Sequence, residues 1–491
     1  MSLPAPTQAA VPLGQFRPPQ RRHPIRWARG QISPRVSSLR DGFVRVAVFR
    51  GLFLAWSFVK SFWYRFIRDD WQSAEATLRY SRIMSGGGLG ASTPPSIVRR
   101  NDEIIRRCVA GSPSNHLLTS YGASTEAARY RREFLGYGLE HALALKYPRA
   151  SDRPDREGDL LVLKPWMGER ERGVLLIQYT DGIRKFAAMY DVPRLVTRYR
   201  FVVEPSWWGY EEVTLLMLLG LHTDVVVEAQ YHLDYEYIRR LGRNMHPLNL
   251  GAGDWADPDT FRDDPRVEKR YDAIMIANWQ RLKRHEVLFR SLKPIARRIG
   301  RVALVGYPCA GRTGDDIRRE AARHGVLDLL DIYESVPPEK VSELLRQSKV
   351  ALMLTKREGA NRAIYEALFS DVPVLVSERN VGVNRAHVND ETGVFSSDED
   401  LGENLLRLVR ERARYTPRAW ALKHTGYQNS TRRLNTMLRN LAVQRGEAWT
   451  AGIYYKKNRP HAMFPDARER DAARRHLATL EPFLRVPSKT E

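Results

Sequence analysis

At 491 residues the chain is long enough for two or three domains, and its 43% hydrophobic and 10% aromatic content excludes a wholly disordered protein. A formal net charge of +22 and a pI near 10.0 point to an anionic partner: acidic lipid, nucleic acid, an acidic glycan or a phosphorylated substrate. Only Cys108 and Cys309 are present, about 200 residues apart, so no disulfide framework or thiolate metal site is implied and a reducing compartment is favoured.

Residues 1–41 read as a basic, disordered tail. They are proline-rich and lack periodicity, and the first forty residues hold seven arginines, no acid and no apolar core of the kind a signal peptide needs. Residues 42–96 combine an aromatic, basic helical segment with a glycine- and proline-rich linker. Gly42 to Arg68 carries Arg45, Arg50, Lys60, Arg65 and Arg68 without an acidic residue. Such a mixture of tryptophan, phenylalanine and cations suits a helix lying in a membrane interface. It suits equally a helix packed on a domain or on a second subunit. No run reaches the ~18 apolar residues of a membrane span. Ser85-Gly-Gly-Gly-Leu-Gly90 lacks the preceding strand of a phosphate-binding loop and reads as a flexible connection.

Residues 97–255 read as a first α/β unit. Strands are expected at His116–Ser120, Asp159–Leu163, Gly173–Gln178, Tyr199–Glu204 and Thr223–Glu228. Helical patterns over Thr125–Leu145 and Glu211–Leu221 lie between some of them, so a parallel sheet is predicted. Leu248 to Phe261 is turn-rich and acidic and links the units. Residues 256–415 form the second unit, with strands at Tyr271–Ala277, Val302–Gly306, Leu329–Tyr333, Val350–Thr355 and Val372–Val376 and helices between them. Residues 416–491 read as a helical, basic extension.

The chemistry concentrates in Glu358-Gly-Ala-Asn-Arg-Ala-Ile-Tyr-Glu366, between the strands at Val350 and Val372. The order strand, glycine-bearing turn, short helix places Glu358 at the carboxyl end of a strand, where ligands of open α/β sheets bind. Glu366 falls about two turns along the helix, at about 3.6 residues per turn. Both carboxylates then reach one ligand, and the helix start near Asn361 offers N–H groups and a positive dipole end to a phosphate. On the other unit, Asp181 follows an apolar strand and either faces the cleft or closes a plain turn. Trp207 and Trp208 end another strand and either stack on a sugar or pack.

Residues 270 to 400 resemble the donor-binding domain of retaining glycosyltransferases of the GT-B fold, family 4. The likeness rests on Ala277-Asn-Trp-Gln-Arg-Leu-Lys-Arg-His-Glu-Val-Leu288, similar to the family's cationic strand-to-helix turn, and on a strand ending at Gly306. It rests further on the two glutamates with seven residues between, and on Asp371-Val-Pro-Val-Leu-Val-Ser377. The resemblance implies two Rossmann-like domains facing a central cleft, with the N-terminal segment and the C-terminal extension added. It implies a retaining, hexosyltransferase-like enzyme using a nucleoside-diphosphate sugar as co-substrate, with no other cofactor and no metal.

By the same resemblance, Lys283 neutralises the leaving diphosphate, Glu358 binds hydroxyls of the donor sugar and Glu366 accepts from the ribose. Gly359, Ala360, Asn361 and Arg362 lie against sugar and phosphate, and Gly306, Asn278 and Arg281 complete the donor side. His232 or His222 stands for the histidine that the family places near the reacting sugar. Asn278 replaces the family's arginine and Asp371 its glycine, which also opens a second reading, a non-catalytic binding protein of a polysaccharide or cell-envelope assembly. The expected acceptor is a glycan or lipid-linked saccharide. The expected location is cytoplasmic, with an anionic membrane surface on the inner face of the cell membrane as a partner of the basic N-terminal segments. No nucleic-acid reading module is visible, so no specific nucleic-acid partner is expected.

Overall fold

A computed structural model describes the protein over residues 47–84, 95–108, 115–148, 156–206, 209–358, 361–458 and 462–485. The expected tail at 1–41 and the glycine run at 85–90 lie outside the described residues.

The first sheet has the order β1 (Leu160–Lys164), β2 (Gly173–Gln178), β3 (Tyr199–Glu204), β4 (Val225–Glu228), β5 (Met245–Leu248). β1 runs antiparallel to β2, and the rest are parallel. The central strands are buried on both faces, which is why they read as unbroken apolar runs rather than as alternation. One face packs on helices from the N-terminal half, through Leu175, Ile177, Phe201 and Val203. The other, through Val174, Leu176, Val202 and Val226, is covered by the returning C-terminal chain: Leu434, Leu438, Ile453 and Phe464. The segment at His116, expected as a strand, is instead a helix, His116–Gly122, because the Asn115 side chain caps it by accepting from the Leu118 N–H at 2.8 Å.

The second sheet contains β6 (Tyr271–Ile276), β7 (Val302–Gly306), β8 (Leu330–Glu334), β9 (Ser348–Met353), β10 (Val374–Ser377) and β11 (Gly393–Ser396), in the order β11-β10-β9-β6-β7-β8. All neighbours are parallel. Strand order reverses between β6 and β9, so a ligand crevice opens beyond their carboxyl ends. The loops that follow both β6 and β9 carry the predicted donor residues.

The carboxyl ends of the two sheets meet. Gln230, after β4, donates to the Gly382 carbonyl at 2.6 Å, and Asn384 donates to the Asn249 side chain at 3.2 Å. The linker is buried between them. Asp254 accepts from Thr425 at 2.7 Å, and Trp255 donates to Glu228 at 2.9 Å. The fold is therefore α/β with two Rossmann-like units across a cleft, a GT-B arrangement extended by helices at both ends.

The C-terminal arm is held to the first sheet by ion pairs. Glu447 accepts from Arg172 at 2.5 Å and faces Arg200 at 2.8 Å, Arg445 holds Asp224 at 2.7 Å, and the buried Lys456 meets Glu204 at 2.5 Å. Glu228 lies beside this last pair with one carboxyl oxygen lacking a hydrogen-bond partner among the described residues. Burial, reinforced by Glu204 and opposed by Lys456, raises its pKa from 4.5 to about 8. The unfolded chain therefore loses this proton at lower pH than the folded one. The contribution of Glu228 is fully present below about pH 4.5 and is lost as the pH rises toward 8. Glu228→Gln is expected to gain stability relative to the parent between pH 5 and pH 8, by roughly 1 kcal/mol per pH unit. Urea midpoints at both pH values check this, and a constant difference between the proteins contradicts it.

Candidate functional site

A cavity of about 440 Å³ lies at the reversal point of the second sheet, within the range of ligand pockets. Its lining includes Asn278, Lys283, Gly306, Glu358, Asn361, Arg362 and Glu366. Seven of the ten residues expected on the donor side thus converge.

Lys283 ends a 3-10 turn that follows β6. Its Nζ lies 2.7 and 2.6 Å from the two oxygens of Glu358, a charge-assisted pair with side chains only 15% and 19% exposed. The next residue, Arg284, adopts a left-handed φ of 62°. It donates to the Leu354 carbonyl at 2.9 Å and pairs with Asp398. Arg284 thereby ties the turn after β6 to the end of β9 and sets the register in which Lys283 meets Glu358. Arg281, at the start of the same turn, is exposed and outside the lining; its position on the solvent side of the turn carries its charge away from the cavity.

Two glycines permit this packing. At Gly306 a Cβ would meet the Ala277 carbonyl oxygen at 2.3 Å and the Trp279 ring at 2.7 Å. At Gly382, with φ +112°, a Cβ would stand 1.6 Å from the Glu358 carbonyl oxygen. The Glu358 backbone is fixed there through its N–H to Val381 at 2.9 Å. Trp279 is itself buried, donates to Glu334 at 2.6 Å and packs on His285. Burial first, then the cations of Arg312 and Lys283, press the pKa of His285 down to about 3, so it stays neutral.

The helix Arg362–Phe369 begins at Asn361, whose side chain accepts from the Ala363 N–H at 2.8 Å. One of the N–H groups expected for a phosphate is therefore already capped. Glu366 is buried and accepts from Arg362 at 2.7 Å, one turn earlier. Gly359 and Ala360 lie outside the described residues.

The two departures from the family pattern have local explanations. Asn278 lines the cavity and accepts from the Gln280 N–H at 3.2 Å, stabilising the lysine turn. Asp371 has φ 56°, a conformation that glycine adopts readily. Its carboxylate is anchored by Arg412 at 3.3 Å and by the Arg418 N–H at 3.2 Å.

On the first unit, Asp181 accepts from Tyr130 at 2.5 Å and pairs with Lys185 at 3.0 Å, turned toward the helix Thr125–Gly136. Burial would raise its pKa, but Lys185 and the Tyr130 hydrogen bond prevail and hold it down. His232 is exposed at the start of the helix His232–Leu241, and His222 is also exposed. Trp207 and Trp208 lie outside the described residues. Residues not anticipated from sequence also matter. Val336, Pro338 and Val341 add an apolar wall to the cavity, with Tyr307 and Ser335 beside it. Tyr179, after β2, has a strained φ of 66° and lies near enough to Arg362 to feel its charge.

Residues 257–420 match the family described as glycosyl transferases group 1. This span contains the whole of the second sheet and the cavity. Among curated proteins none matches the chain. Among solved structures, Anabaena Alr3699/HepE in complex with UDP and glucose is similar at 13% identity, covering 54% of this chain and 78% of its own, with a TM-score of 0.44. Sucrose-phosphate synthase (tll1590) from Thermosynechococcus elongatus is similar at 14% identity, covering 55% and 74%, with a TM-score of 0.45. The C-terminal domain of the group 1 family glycosyl transferase LpcC from Francisella tularensis is similar at 12% identity, covering 34% and 97%, with a TM-score of 0.31.

Proposed function

We propose that the protein is a retaining glycosyltransferase that moves a hexosyl group from a nucleoside-diphosphate donor to a hydroxyl of a glycan or lipid-linked saccharide. The observation that carries this reading is the meeting of Lys283 with Glu358 in a cavity that also holds Glu366. In the donor complex the diphosphate takes Lys283, the sugar hydroxyls take Glu358, and the ribose diol is accepted by Glu366. The apolar wall of Val336 and Val341 receives the base. The bond from the anomeric carbon to the diphosphate breaks, and the acceptor oxygen bonds on the same face. The acceptor proton passes to a diphosphate oxygen. Lys283 meets the charge that develops there, so this reading requires neither a protein nucleophile nor a metal ion.

The first unit supplies the acceptor side, where Tyr179 lies near Arg362 of the cavity lining, and closing of the units over the donor excludes water. The alternative, a non-catalytic binding protein, was motivated by Asn278 and Asp371. Asp371 is accommodated by its hydrogen bonds and does not favour the alternative; at Asn278 neither Arg281 nor Arg284 replaces the missing cation, and turnover with a bound nucleotide sugar separates the two readings. Glu366→Ala removes an acceptor of charge-assisted bonds, each contributing about 1.5–3 kcal/mol. It is expected to weaken nucleoside-diphosphate binding by about tenfold to a hundredfold. Calorimetry with a panel of nucleotides and nucleotide sugars tests this. If none binds the parent protein, the donor reading fails; if the variant binds as tightly as the parent, the role of Glu366 fails.

A further inference from the structure

The helix Ala47–Phe66 presents Leu52, Trp56, Val59, Phe62, Trp63 and Phe66 to solvent, each more than half exposed and Phe66 82% exposed. Their spacing of three and four residues places all six along one face. The opposite face is occupied. Ser57 is buried, the Ser61 carbonyl accepts from Ser73 at 3.1 Å, and Phe58 meets Tyr80 at 5.7 Å. The helix is thus mounted on its neighbour Asp70–Met84, which sinks Trp71, Ala74 and Leu78 into the core of the first unit. An exposed aromatic face of this length is unusual on a soluble surface.

Charge identifies what covers it. No acidic residue occurs between Gly42 and Arg68, five cations do, and seven arginines precede them. Lys60 lies 4.7 Å over the Trp56 ring, and Arg65 and Arg68 are exposed beside the face. A second copy of the chain would bring like charges together. An anionic bilayer instead complements the cations and receives the rings at headgroup depth, where tryptophan is favoured. Among the described residues no helix is long and apolar enough to cross a membrane, and at about 1.5 Å per residue this one spans about 30 Å along the surface.

We propose that this face docks the protein onto an anionic lipid surface, lying in the interface with its aromatic side chains inserted. The surface is separate from the donor cavity, so the proposal stands or falls independently of the transferase reading. The test is co-sedimentation of the full chain with vesicles of phosphatidylcholine alone and with added phosphatidylglycerol. Binding at least ten times tighter to the anionic vesicles is expected, weakening in high salt. The triple variant Trp56→Ser, Trp63→Ser, Phe66→Ser is expected to lose at least tenfold of that binding, while calorimetry shows nucleotide affinity unchanged. Three results would overturn the proposal: no sedimentation of the parent with anionic vesicles, equal sedimentation of the variant, or a parent dimer that the variant converts to monomer without any change in lipid binding.

Discussion

Lys283→Ala is expected to lower kcat for sugar transfer by about a hundredfold to a thousandfold, the loss typical of removing one donor aimed at developing charge. The geometry supports a large effect. Among the described residues Lys283 is the one lysine of the cavity lining, and its Nζ already sits within 2.7 Å of Glu358. The donor's diphosphate and sugar are then gripped from one point, with the anomeric carbon between them. Arg284 cannot replace it, since that guanidinium is committed to the Leu354 carbonyl and Asp398. The side chains of the pair are mostly buried, so the variant leaves the Glu358 carboxylate without its cation and should also lose about 1–3 kcal/mol of stability, which a urea midpoint separates from the kinetic loss. Affinity should fall more for a nucleoside diphosphate than for the monophosphate if, as proposed, the lysine binds the outer phosphate. Single-turnover kinetics with both ligands as competitors measures this. An unchanged kcat would remove Lys283 from the leaving-group role.

The convergence of Lys283, Glu358 and Glu366 on one cavity was legible because local rules determine it. A buried strand, a turn and a short helix force the residues after β6 and β9 to the same end of a parallel sheet, and the lysine and glutamates are chemically conspicuous there. Tyr179 was not legible, since nothing about tyrosine announces a left-handed backbone. β5 was missed because Met245-His-Pro-Leu248 contains a proline, tolerated there because β5 lies at the sheet edge. The segment at His116 was misread from its apolar run, although Asn115 supplied a capping signal. The covering of the first sheet by the C-terminal arm escaped for a different reason. It depends on pairs such as Arg172–Glu447 and Lys456–Glu204, whose partners stand more than 250 positions apart, and no periodicity encodes them.

That arm also has a consequence for function, best seen at Lys456. Its ammonium is fully buried, 2.5 Å from Glu204 and 4.3 Å over the Trp255 ring, and its charge acts on Glu228. Lys456→Met preserves much of the volume but leaves Glu204 in the interior without its cation. Breaking one side of a buried pair costs about 3–5 kcal/mol, so a clear drop in urea midpoint is expected. Adding Glu204→Gln should recover most of it, since the unpaired charge rather than the lost contact is the source of the cost. The functional effect should be divided. Every described residue lining the candidate cavity lies between Phe261 and Glu366, in the second unit. Lys456 instead secures the linker at Trp255 against the carboxyl ends of β3 and β4. Nucleotide affinity of the single variant should therefore survive under conditions where it is folded, whereas transfer to an acceptor should fall, because the first unit is no longer held in place across the cleft. Loss of both together in folded protein would show that the two units do not divide donor and acceptor in this way.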